Sequence, residues 1–344
     1  MKAVRWGILG TGTMAEQFAG ALLTLPDSIL GGVVSRTRGR ADEFGARFGV
    51  QRSFESVEKL LADPTIEIVY IATRNEFHKE DMLATLNAGK AVLCEKPFAL
   101  SASEGRVVVE TARRLRIFCM EAMWMRFSPA VRELRNIVRN GQIGSPQLIA
   151  AQFGVSIPFD RDHRVYALQG GGALYDLGVY PVSLTQMLLG RPKGICSRSR
   201  IGKTGVDEQF TALLQYESGS QAMIGASLRA NLSNDAQVFG TGGRCNLTGG
   251  IYFPTGCHIE LNDSARKSEE RRGIGQKVWS RFARGVPQGR EKRWRKHSIR
   301  EGYACEARAV HQSLLSGSTE CSEMSLNDTL EVLEIMDEIR NEWA

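Results

Sequence analysis

Residues 4–15 read VRWGILGTGTMA, and this segment is the strongest indication of the fold class in the sequence. An apolar run that is typical of a buried strand leads directly into Gly10, Gly12 and Ala15, spaced as GxGxxA. The two glycines allow a tight turn in which backbone N–H groups approach a pyrophosphate at the positive end of the following helix. The motif therefore predicts a dinucleotide-binding loop that includes Thr13 and Met14, with a plain strand-to-helix turn as the alternative.

Strand patterns and helical patterns alternate over roughly the first 120 residues. The predicted strands are residues 4–9, 29–35, 66–73, 91–94 and 117–120, and the predicted helices are residues 14–25, 38–48, 56–62, 78–88 and 101–115. Near-continuous apolar strands that alternate with helices indicate a parallel sheet covered on both faces. We therefore expect a Rossmann dinucleotide-binding domain over residues 1–122.

The pattern changes from residue 146 onward to closely spaced β-type runs with few helices between them. A helix is predicted over 129–139, strands over 146–157, 195–201, 209–216, 221–229, 236–240, 244–248 and 257–261, and helices over 305–315 and 326–343. Such runs favour one large open sheet that is mostly antiparallel. The expected fold class is α/β, with a substrate-binding and dimerisation domain over residues 123–344 after the Rossmann domain. Its last helix is expected to pack back on the first domain.

The bulk composition excludes several classes of protein. The 344 residues suit two domains, and 42% hydrophobic with 24% charged residues is ordinary for a folded soluble protein. Seven cysteines without a CxxC pair and five histidines without an HExxH spacing argue against a disulfide framework and against a metal site. Neither a signal peptide nor an apolar run of roughly 20 residues is evident. We therefore expect a cytoplasmic protein.

The net charge of +6 comes from one basic segment, residues 264–300, which holds thirteen Lys or Arg and three Asp or Glu. The rest of the chain sums to −4. The interleaved aromatic and cationic residues of the segment could bind a phosphorylated substrate, a nucleic acid or an anionic membrane. A solvated loop is the favoured interpretation, so neither nucleic acid nor a membrane is expected as a partner.

Ser35 and Arg36 stand at the end of the second strand, where NAD-selective enzymes usually carry Asp or Glu. Arg38 and Arg40 follow closely. A hydroxyl and a guanidinium suit the 2′-phosphate of NADP(H), so NADP(H) is the expected cofactor and NAD(H) the second choice. The alternative is that these arginines begin a solvated helix.

Polar residues also follow the strand predicted over 66–73, in the sequence ATRNEFH. Because loops at the carboxyl ends of parallel strands line the ligand crevice, Thr73 and Asn75 are expected to contact the cofactor ribose or pyrophosphate. His78 is expected instead to open the next helix.

Two further motifs carry candidate acid–base residues. Lys96 in CEKP can polarise a carbinol or carbonyl oxygen or exchange its proton, and desolvation eases this by lowering its pKa. Glu95 beside it is expected to brace a ribose or the lysine. In GGGALYDLGVY, residues 170–180, Asp176 and Tyr180 stand four apart on one helix face and form a candidate acid–base pair. The alternative is a buried Asp satisfied by backbone groups beside a core Tyr.

The ordered set GTGTMA, ATRNEFH, CEKP and GGGALYDLGVY resembles the glucose–fructose oxidoreductase, inositol dehydrogenase and rhizopine catabolism family (Gfo/Idh/MocA) over nearly the whole chain. The resemblance implies a Rossmann domain, a C-terminal α/β domain with an open sheet, and oxidation or reduction of sugars, cyclitols and related alcohols. It implies that Lys96 is the catalytic lysine and that Asp176 lies on the substrate helix. A homodimer or homotetramer through the C-terminal sheet is expected.

Within that family, EAMWMRF at residues 121–127 together with Tyr180 resembles the dimeric dihydrodiol dehydrogenase branch. That likeness implies NADP as cofactor and trans-dihydrodiols, pentoses or anhydro-sugars as substrates. It also implies that Tyr180 handles the proton with help from Lys96, and that Trp124 and Arg126 flank the nicotinamide end. The alternative for Trp124 is ordinary packing, and the alternative for Arg126 is a surface ion pair.

Taken together, these motifs predict an NAD(P)-dependent oxidoreductase that moves a hydride between nicotinamide and a carbinol or carbonyl carbon of a sugar, polyol or dihydrodiol. A non-catalytic dinucleotide-binding regulator of the same fold is the alternative, against which the intact EKP motif and the Asp176/Tyr180 pair argue. A nucleic-acid binder centred on the basic segment is the third interpretation.

Overall fold

The computed structural model of the chain describes residues 3–262, 290–293 and 299–343. Most of the basic segment, with the ligand and partner hypotheses that depended on it, lies outside the described residues.

The N-terminal part forms a six-stranded parallel sheet in the order β3-β2-β1-β4-β5-β6. Its strands are β1 (Val4–Leu9), β2 (Ser28–Val34), β3 (Ser53–Phe54), β4 (Ile68–Ile71), β5 (Ala91–Glu95) and β6 (Cys119–Ala122). Its helices are α1 (Thr13–Leu22), α2 (Arg38–Phe48), α3 (Val57–Leu61), α4 (His78–Asn87) and α5 (Ala102–Leu115). Because the strand order reverses between β1 and β4, the carboxyl ends of these strands border a crevice where such sheets bind ligands.

Burial on both faces explains the near-continuous apolar sequences of these strands. Trp6, Ile8 and Val69 have no exposed surface, and Phe18 of α1 stacks on Tyr70 of β4 with 3.9 Å between ring centroids. Complete burial of a large apolar side chain stabilises a fold by about 1.5–3 kcal/mol. The strands whose carboxyl ends border the crevice are therefore held in place by a tightly packed core.

The second part contains an eight-stranded sheet in the order β14-β13-β12-β11-β7-β10-β9-β8, in which only the β7/β10 pair is parallel among the described residues. Its strands are β7 (Pro146–Gly154), β8 (Gly194–Ile201), β9 (Asp207–Gln215), β10 (Gln221–Ser227), β11 (Ala236–Gly240), β12 (Gly243–Thr248), β13 (Gly256–Leu261) and β14 (Arg290–Arg293). Helices α6 (Pro129–Arg139) and α7 (Val179–Leu189) pack on one face. The side chains of β9 alternate between buried and exposed from Gln209 onward, so its other face is open.

Two final helices join the parts of the molecule. Helix α8 (Ile299–Leu315) packs on α1, and α9 (Leu326–Asn341) packs on both α5 and α7. A capping box between Ser325 and Asp328 starts α9, and N-caps of this kind contribute about 1 kcal/mol. Both sheets thus share helical contacts.

The α/β fold class with a large, mostly antiparallel second sheet is confirmed. Four features of the elements differ from the expectations. Strands β3 and β14 were not predicted, and the helix expected over 305–315 begins six residues earlier, at Ile299. The helix expected after the glycines begins as a π-helical turn, Leu174–Gly178, before α7. A two-residue strand is too short to leave a periodic pattern, and a π turn has the same apolar composition as an α turn.

None of the helices in the described ranges is both long and apolar enough to cross a membrane. No disulfide links any of the seven cysteines, all of which lie in described positions. The described residues contain no group of three or more His, Cys, Asp or Glu side chains that could hold a metal ion.

Candidate active site

The loop between β1 and α1 leaves room for a bound group directly in front of a helix end. Gly10 has φ +102°, and a Cβ there would lie 2.5 Å from the carbonyl oxygen of Ala72, so only glycine fits. A Cβ at Gly12 would instead meet nothing within 4 Å. Gly12 caps α1 without any side-chain hydrogen bond, and the first helical residues, Thr13 and Met14, are exposed. Free N–H groups at a positive helix end beside open space fit a pyrophosphate.

The residues expected at the adenosine end lie at the mouth of the same crevice. The Thr11 hydroxyl donates to Ser35 Oγ at 3.2 Å, which ties the glycine loop to the end of β2. Arg36 is exposed, and its guanidinium carbon lies 5.6 Å from the ring centroid of Phe77, a side chain that is itself exposed. A cation held beside an exposed aromatic ring can contact both a phosphate and an adenine face.

Thr73 and Asn75 lie at the crevice but are engaged by protein groups. The Thr73 hydroxyl donates to Asp81 Oδ2 at 2.7 Å, and the Asn75 amide donates to the backbone oxygen of Gly170 at 2.7 Å. Asn75 therefore connects the Rossmann crevice to the glycines that precede α7. His78 is buried at the start of α4, with Nδ1 2.8 Å from the backbone oxygen of Pro97. Burial lowers the pKa of His78, which keeps the ring neutral and gives it the structural role expected from the sequence.

Lys96 follows β5 and meets the helix that carries the second motif. Its ammonium donates to the backbone oxygen of Asp176 at 2.7 Å and lies 3.8 Å from Asp176 Oδ1. It also lies 4.9 Å from the ring centroid of Tyr180. The peptide bond between Lys96 and Pro97 is cis. The structure thus brings the three candidate acid–base residues into one group at the carboxyl end of β5.

The electrostatics of this group follow from its burial. Only 10% of the side chains of Lys96 and Asp176 is exposed. Desolvation lowers the pKa of Lys96, although the charge of Asp176 opposes the shift. Desolvation would raise the pKa of Asp176, but the charges of Lys96 and Arg164 hold it below its ordinary value. Asp176 is therefore ionised at neutral pH, and Lys96 releases its proton more easily than a surface lysine.

Glu95 lies behind Lys96 and braces it. One carboxylate oxygen accepts hydrogen bonds from the hydroxyls of Tyr70 and Tyr303, and the other accepts from the backbone N–H of Lys96 at 3.2 Å. Glu95 is buried, which raises its pKa. Of the two roles expected for Glu95, these contacts match support of the lysine.

Tyr180 lies among other aromatic side chains. The indole N–H of Trp124 donates to the Tyr180 hydroxyl at 3.0 Å, and Phe153 packs edge-on against the Tyr180 ring with 5.4 Å between centroids. Trp124 also stacks on Tyr303 at 5.0 Å, and Phe153 stacks on Tyr252 at 5.0 Å. Burial raises the pKa of Tyr180 far above its ordinary value, so its phenol stays protonated at any physiological pH.

Arg126 does not join this group. Its buried guanidinium donates to Ser183 Oγ at 2.8 Å and to Gln186 Oε1 at 2.6 Å, both on α7. It also lies 3.8 Å from Asp328 Oδ1 on α9. These contacts make the ion pair of Arg126 an interior one and not the surface pair of the alternative interpretation, while its place beside the nicotinamide end stays a prediction. The sequence around Arg126 contains no local pattern that predicts its pairing with α7.

Two residues near the site were missed by the sequence analysis. Arg164 opens a short 3₁₀ turn, Arg164–Tyr166, in the loop before the glycines, and its Nη1 lies 2.8 Å from Asp176 Oδ1. Asp207 accepts from the backbone N–H of Leu174 at 2.7 Å, and a Cβ at Gly172 (φ +109°) would collide with its carboxylate. Neither residue belongs to a motif or to a periodic pattern, so only the folded chain reveals their partners.

Comparison with known proteins agrees with this arrangement. Residues 4–122 match the family model described as "Oxidoreductase family, NAD-binding Rossmann fold", and residues 131–246 match the "GFO/IDH/MocA C-terminal domain". The chain therefore belongs to the Gfo/Idh/MocA family, and it is an oxidoreductase that uses a nicotinamide dinucleotide.

Among curated relatives, the chain is similar to trans-1,2-dihydrobenzene-1,2-diol dehydrogenases. It is 41% identical to the Mus musculus enzyme over 74% of this chain and 77% of that protein. It is 33% identical to the Xenopus tropicalis enzyme over 98% of this chain and 97% of that protein.

Solved structures give the same picture of the fold. KijD10, a 3-ketoreductase from Actinomadura kijaniata in complex with NADP and TDP-benzene, is 25% identical with a TM-score of 0.83, covering 99% of this chain and 98% of that chain. Levoglucosan dehydrogenase in complex with NADH and L-sorbose has a TM-score of 0.86 at 20% identity, covering 99% of this chain and 97% of that chain. One of these structures carries NADP and the other NADH, so likeness of fold does not select the cofactor.

Proposed function

We propose that the protein interconverts a carbinol and a carbonyl group on a dihydrodiol, sugar or polyol, with Lys96 exchanging the proton and Tyr180 donating a hydrogen bond to the reacting oxygen. The observation that carries the proposal is the buried group of Lys96, Asp176 and Tyr180 at the carboxyl end of β5. The names of the relatives, which are dehydrogenases of a benzene dihydrodiol, support this class of substrate.

A bound nicotinamide dinucleotide would exchange a hydride with the carbinol carbon, and the protein would supply orientation and electrostatics. In the oxidative direction the neutral amine of Lys96 accepts the proton of the substrate hydroxyl, and in the reductive direction its ammonium returns one. The lowered pKa of Lys96, caused by desolvation, favours this exchange. Asp176 balances the ammonium and can accept a hydrogen bond from a second hydroxyl.

Tyr180 contributes as a hydrogen-bond donor. Its oxygen already accepts from Trp124, so its own proton is directed to another acceptor, such as the substrate oxygen. Because burial raises its pKa, it does not act as a phenolate base. This assignment divides the proton chemistry: Lys96 exchanges the proton and Tyr180 orients the oxygen.

The walls of the site fit a substrate with one apolar and one polar side. Phe153, Tyr180 and Tyr252 offer aromatic faces, while Lys96 and Asp176 offer charges. A dihydrodiol has an apolar ring edge and vicinal hydroxyls, and a sugar has C–H faces and hydroxyls. Either substrate would place its apolar side on the aromatic rings and its hydroxyls beside the charged groups.

We also propose a preference for NADP(H) and self-association through the open face of the second sheet. Ser35 and exposed Arg36 stand where an acidic residue would otherwise select NAD, and Arg36 can pair with a 2′-phosphate. The open sheet face carries exposed Leu213 and Met223 side by side, which a second copy of the chain would cover.

Replacing Lys96 with Ala tests the catalytic assignment. We expect kcat for the oxidation of dihydrodiols and sugars to fall by about a hundredfold or more, since general acid–base groups contribute roughly 10²–10⁴. The affinity for the dinucleotide, measured by fluorescence titration, should be nearly unchanged because the Lys96 ammonium contacts Asp176 and Tyr180 of the second motif.

The matched control is Lys193→Ala. Lys193 is half exposed and lies 3.7 Å from Glu217 at the surface, so its loss should leave both measurements at the wild-type level. Near-normal turnover by Lys96→Ala would disprove the assignment, whereas loss of dinucleotide binding would indicate a damaged fold.

A further inference from the structure

Arg164 reaches the acid–base group from the solvent side. More than half of its side chain (56%) is exposed, whereas only 10% of the Asp176 side chain is. Its guanidinium nevertheless contacts Asp176 Oδ1 at 2.8 Å, the same oxygen that lies 3.8 Å from Lys96 Nζ. One carboxylate oxygen is therefore shared by a buried cation and an exposed cation.

The sharing weakens the hold of Asp176 on Lys96 in two ways. The short contact of Asp176 Oδ1 goes to Arg164, so the Lys96 ammonium stays 3.8 Å from that oxygen and makes no short hydrogen bond to it. Because both cations contact one oxygen, they also lie within about 7 Å of each other, where like charges repel appreciably in a partly desolvated site. Both effects disfavour the protonated form of Lys96.

We propose that Arg164 is a positioning residue that divides the Asp176 carboxylate between itself and Lys96, and so keeps the lysine able to give up its proton. The inference rests on the proposed function, in which Lys96 exchanges the substrate proton. It assigns to Arg164 a role that acts through Asp176 and requires no contact with the reacting atoms.

Other charged and titratable groups face this pair from the surrounding elements. They are Glu95, Glu121, His78, His163 and Tyr180. Glu95 and Glu121 are buried acids that favour the ammonium form, while His78 and Tyr180 are kept neutral by burial. His163 lies next to Arg164 in the chain and also acts on Asp176. Arg164 differs from these five residues because it combines solvent exposure with a direct ion pair to Asp176.

The direction of the effect can be derived for Arg164→Gln. Without the guanidinium, Asp176 attracts Lys96 undivided and the repulsion disappears, so the pKa of Lys96 rises. Oxidation requires the neutral amine, so its pH profile should move to higher pH. We expect a shift of about one unit, smaller than the largest shifts from buried charges because Arg164 is half exposed. Below the inflection this equals a roughly tenfold lower kcat/KM at a given pH.

The experiment measures two quantities on the full-length protein. The first is the pH dependence of kcat/KM for dihydrodiol oxidation. The second is the rate of Lys96 acetylation by acetic anhydride as a function of pH, followed by mass spectrometry, which reports the lysine pKa without any turnover. Arg164→Gln should shift both profiles upward, and Arg164→Lys, which keeps the charge, should restore most of the wild-type position.

Arg161→Gln is the matched control, because Arg161 is an exposed arginine in the same loop for which no contact with Asp176 is found. Its profiles should coincide with those of the wild type. Unshifted profiles in Arg164→Gln would overturn the proposal, as would a lower kcat without a pH shift, which indicates a structural role alone. If Lys96→Ala stays active, the proposed function fails, while the acetylation profile still decides the influence of Arg164 on Lys96.

Discussion

At the scale of single residues, Arg36 is the side chain on which the proposed preference for NADP(H) rests. It is exposed at the end of β2, beside the Phe77 ring, where a 2′-phosphate can reach it. We expect Arg36→Ala to raise the Kd for NADP(H) roughly ten- to a hundredfold, since one charge-assisted hydrogen bond is worth about 1.5–3 kcal/mol. The Kd for NAD(H) should change little. Titration of both dinucleotides checks this.

Arg47→Ala provides the comparison for that test. Arg47 lies on α2 and pairs with Glu16 at 3.0 Å, so its removal takes away one positive charge from the same region without affecting Ser35 or Arg36. An equal loss of NADP(H) affinity in both variants would mean that only the general positive field matters. A loss of NAD(H) affinity equal to that of NADP(H) in Arg36→Ala would also contradict the assignment.

Single residues also show which parts of the candidate site could be predicted from the sequence. Lys96, Asp176 and Tyr180 could be predicted because each stands in a recognisable motif at a strand or helix end, and the structure brings them together. The partners of Arg126 and Arg164 could not, because an ion pair between distant segments leaves no local pattern. Such pairs depend on how the loop before the glycines and helix α7 pack, which is settled only by tertiary contacts.

At the scale of elements, the two glycines of the turn between β1 and α1 are expected to contribute differently. Gly10 is expected to matter for stability, and Gly12 for binding of the dinucleotide. Gly10→Ala would force a Cβ to within 2.5 Å of the Ala72 carbonyl oxygen at a φ of +102°. We expect it to lower the free energy of unfolding by about 2 kcal/mol or more, because strained backbone and a steric clash add. Gly12→Ala meets nothing within 4 Å and has an ordinary φ of −80°, so its stability should be unchanged.

The binding of the dinucleotide should distinguish Gly12→Ala from the wild type. Its Cβ would occupy the open space at the end of α1 where, under the proposal, backbone N–H groups would approach a bound pyrophosphate, and we expect the Kd to rise about tenfold or more. Chemical denaturation and fluorescence titration of both variants test the pair. Wild-type affinity in Gly12→Ala would show that the pyrophosphate does not lie over this turn.

The elements themselves were predictable where length and periodicity were sufficient. The helices over 38–48 and 129–139 have the predicted bounds, since several turns of alternating burial mark them clearly. The two-residue strand β3 is defined by its pairing with β2, and the π-helical turn Leu174–Gly178 is defined by its hydrogen bonds. Both depend on backbone geometry, which composition does not encode strongly.

At the scale of the whole molecule, the second sheet leaves an apolar row on its open face. Met223 pairs directly with Leu213 in the sheet, and Leu213 pairs with Cys196 on the next strand. All three side chains are exposed, with 53% of Leu213 and 45% of Met223 accessible. Exposed apolar residues aligned across three strands are characteristic of a protein interface.

We therefore expect the protein to sediment as a dimer or tetramer, and Leu213→Lys with Met223→Lys to dissociate it. Two charges in the centre of a face that must bury about 800 Å² per partner would have to be desolvated without partners, which strongly disfavours association. Leu315→Lys, at an equally exposed position at the end of α8, should keep the wild-type assembly because it lies away from the sheet. Analytical ultracentrifugation decides between these outcomes: a monomeric wild type, or an assembled double variant, would rule out this face as the interface.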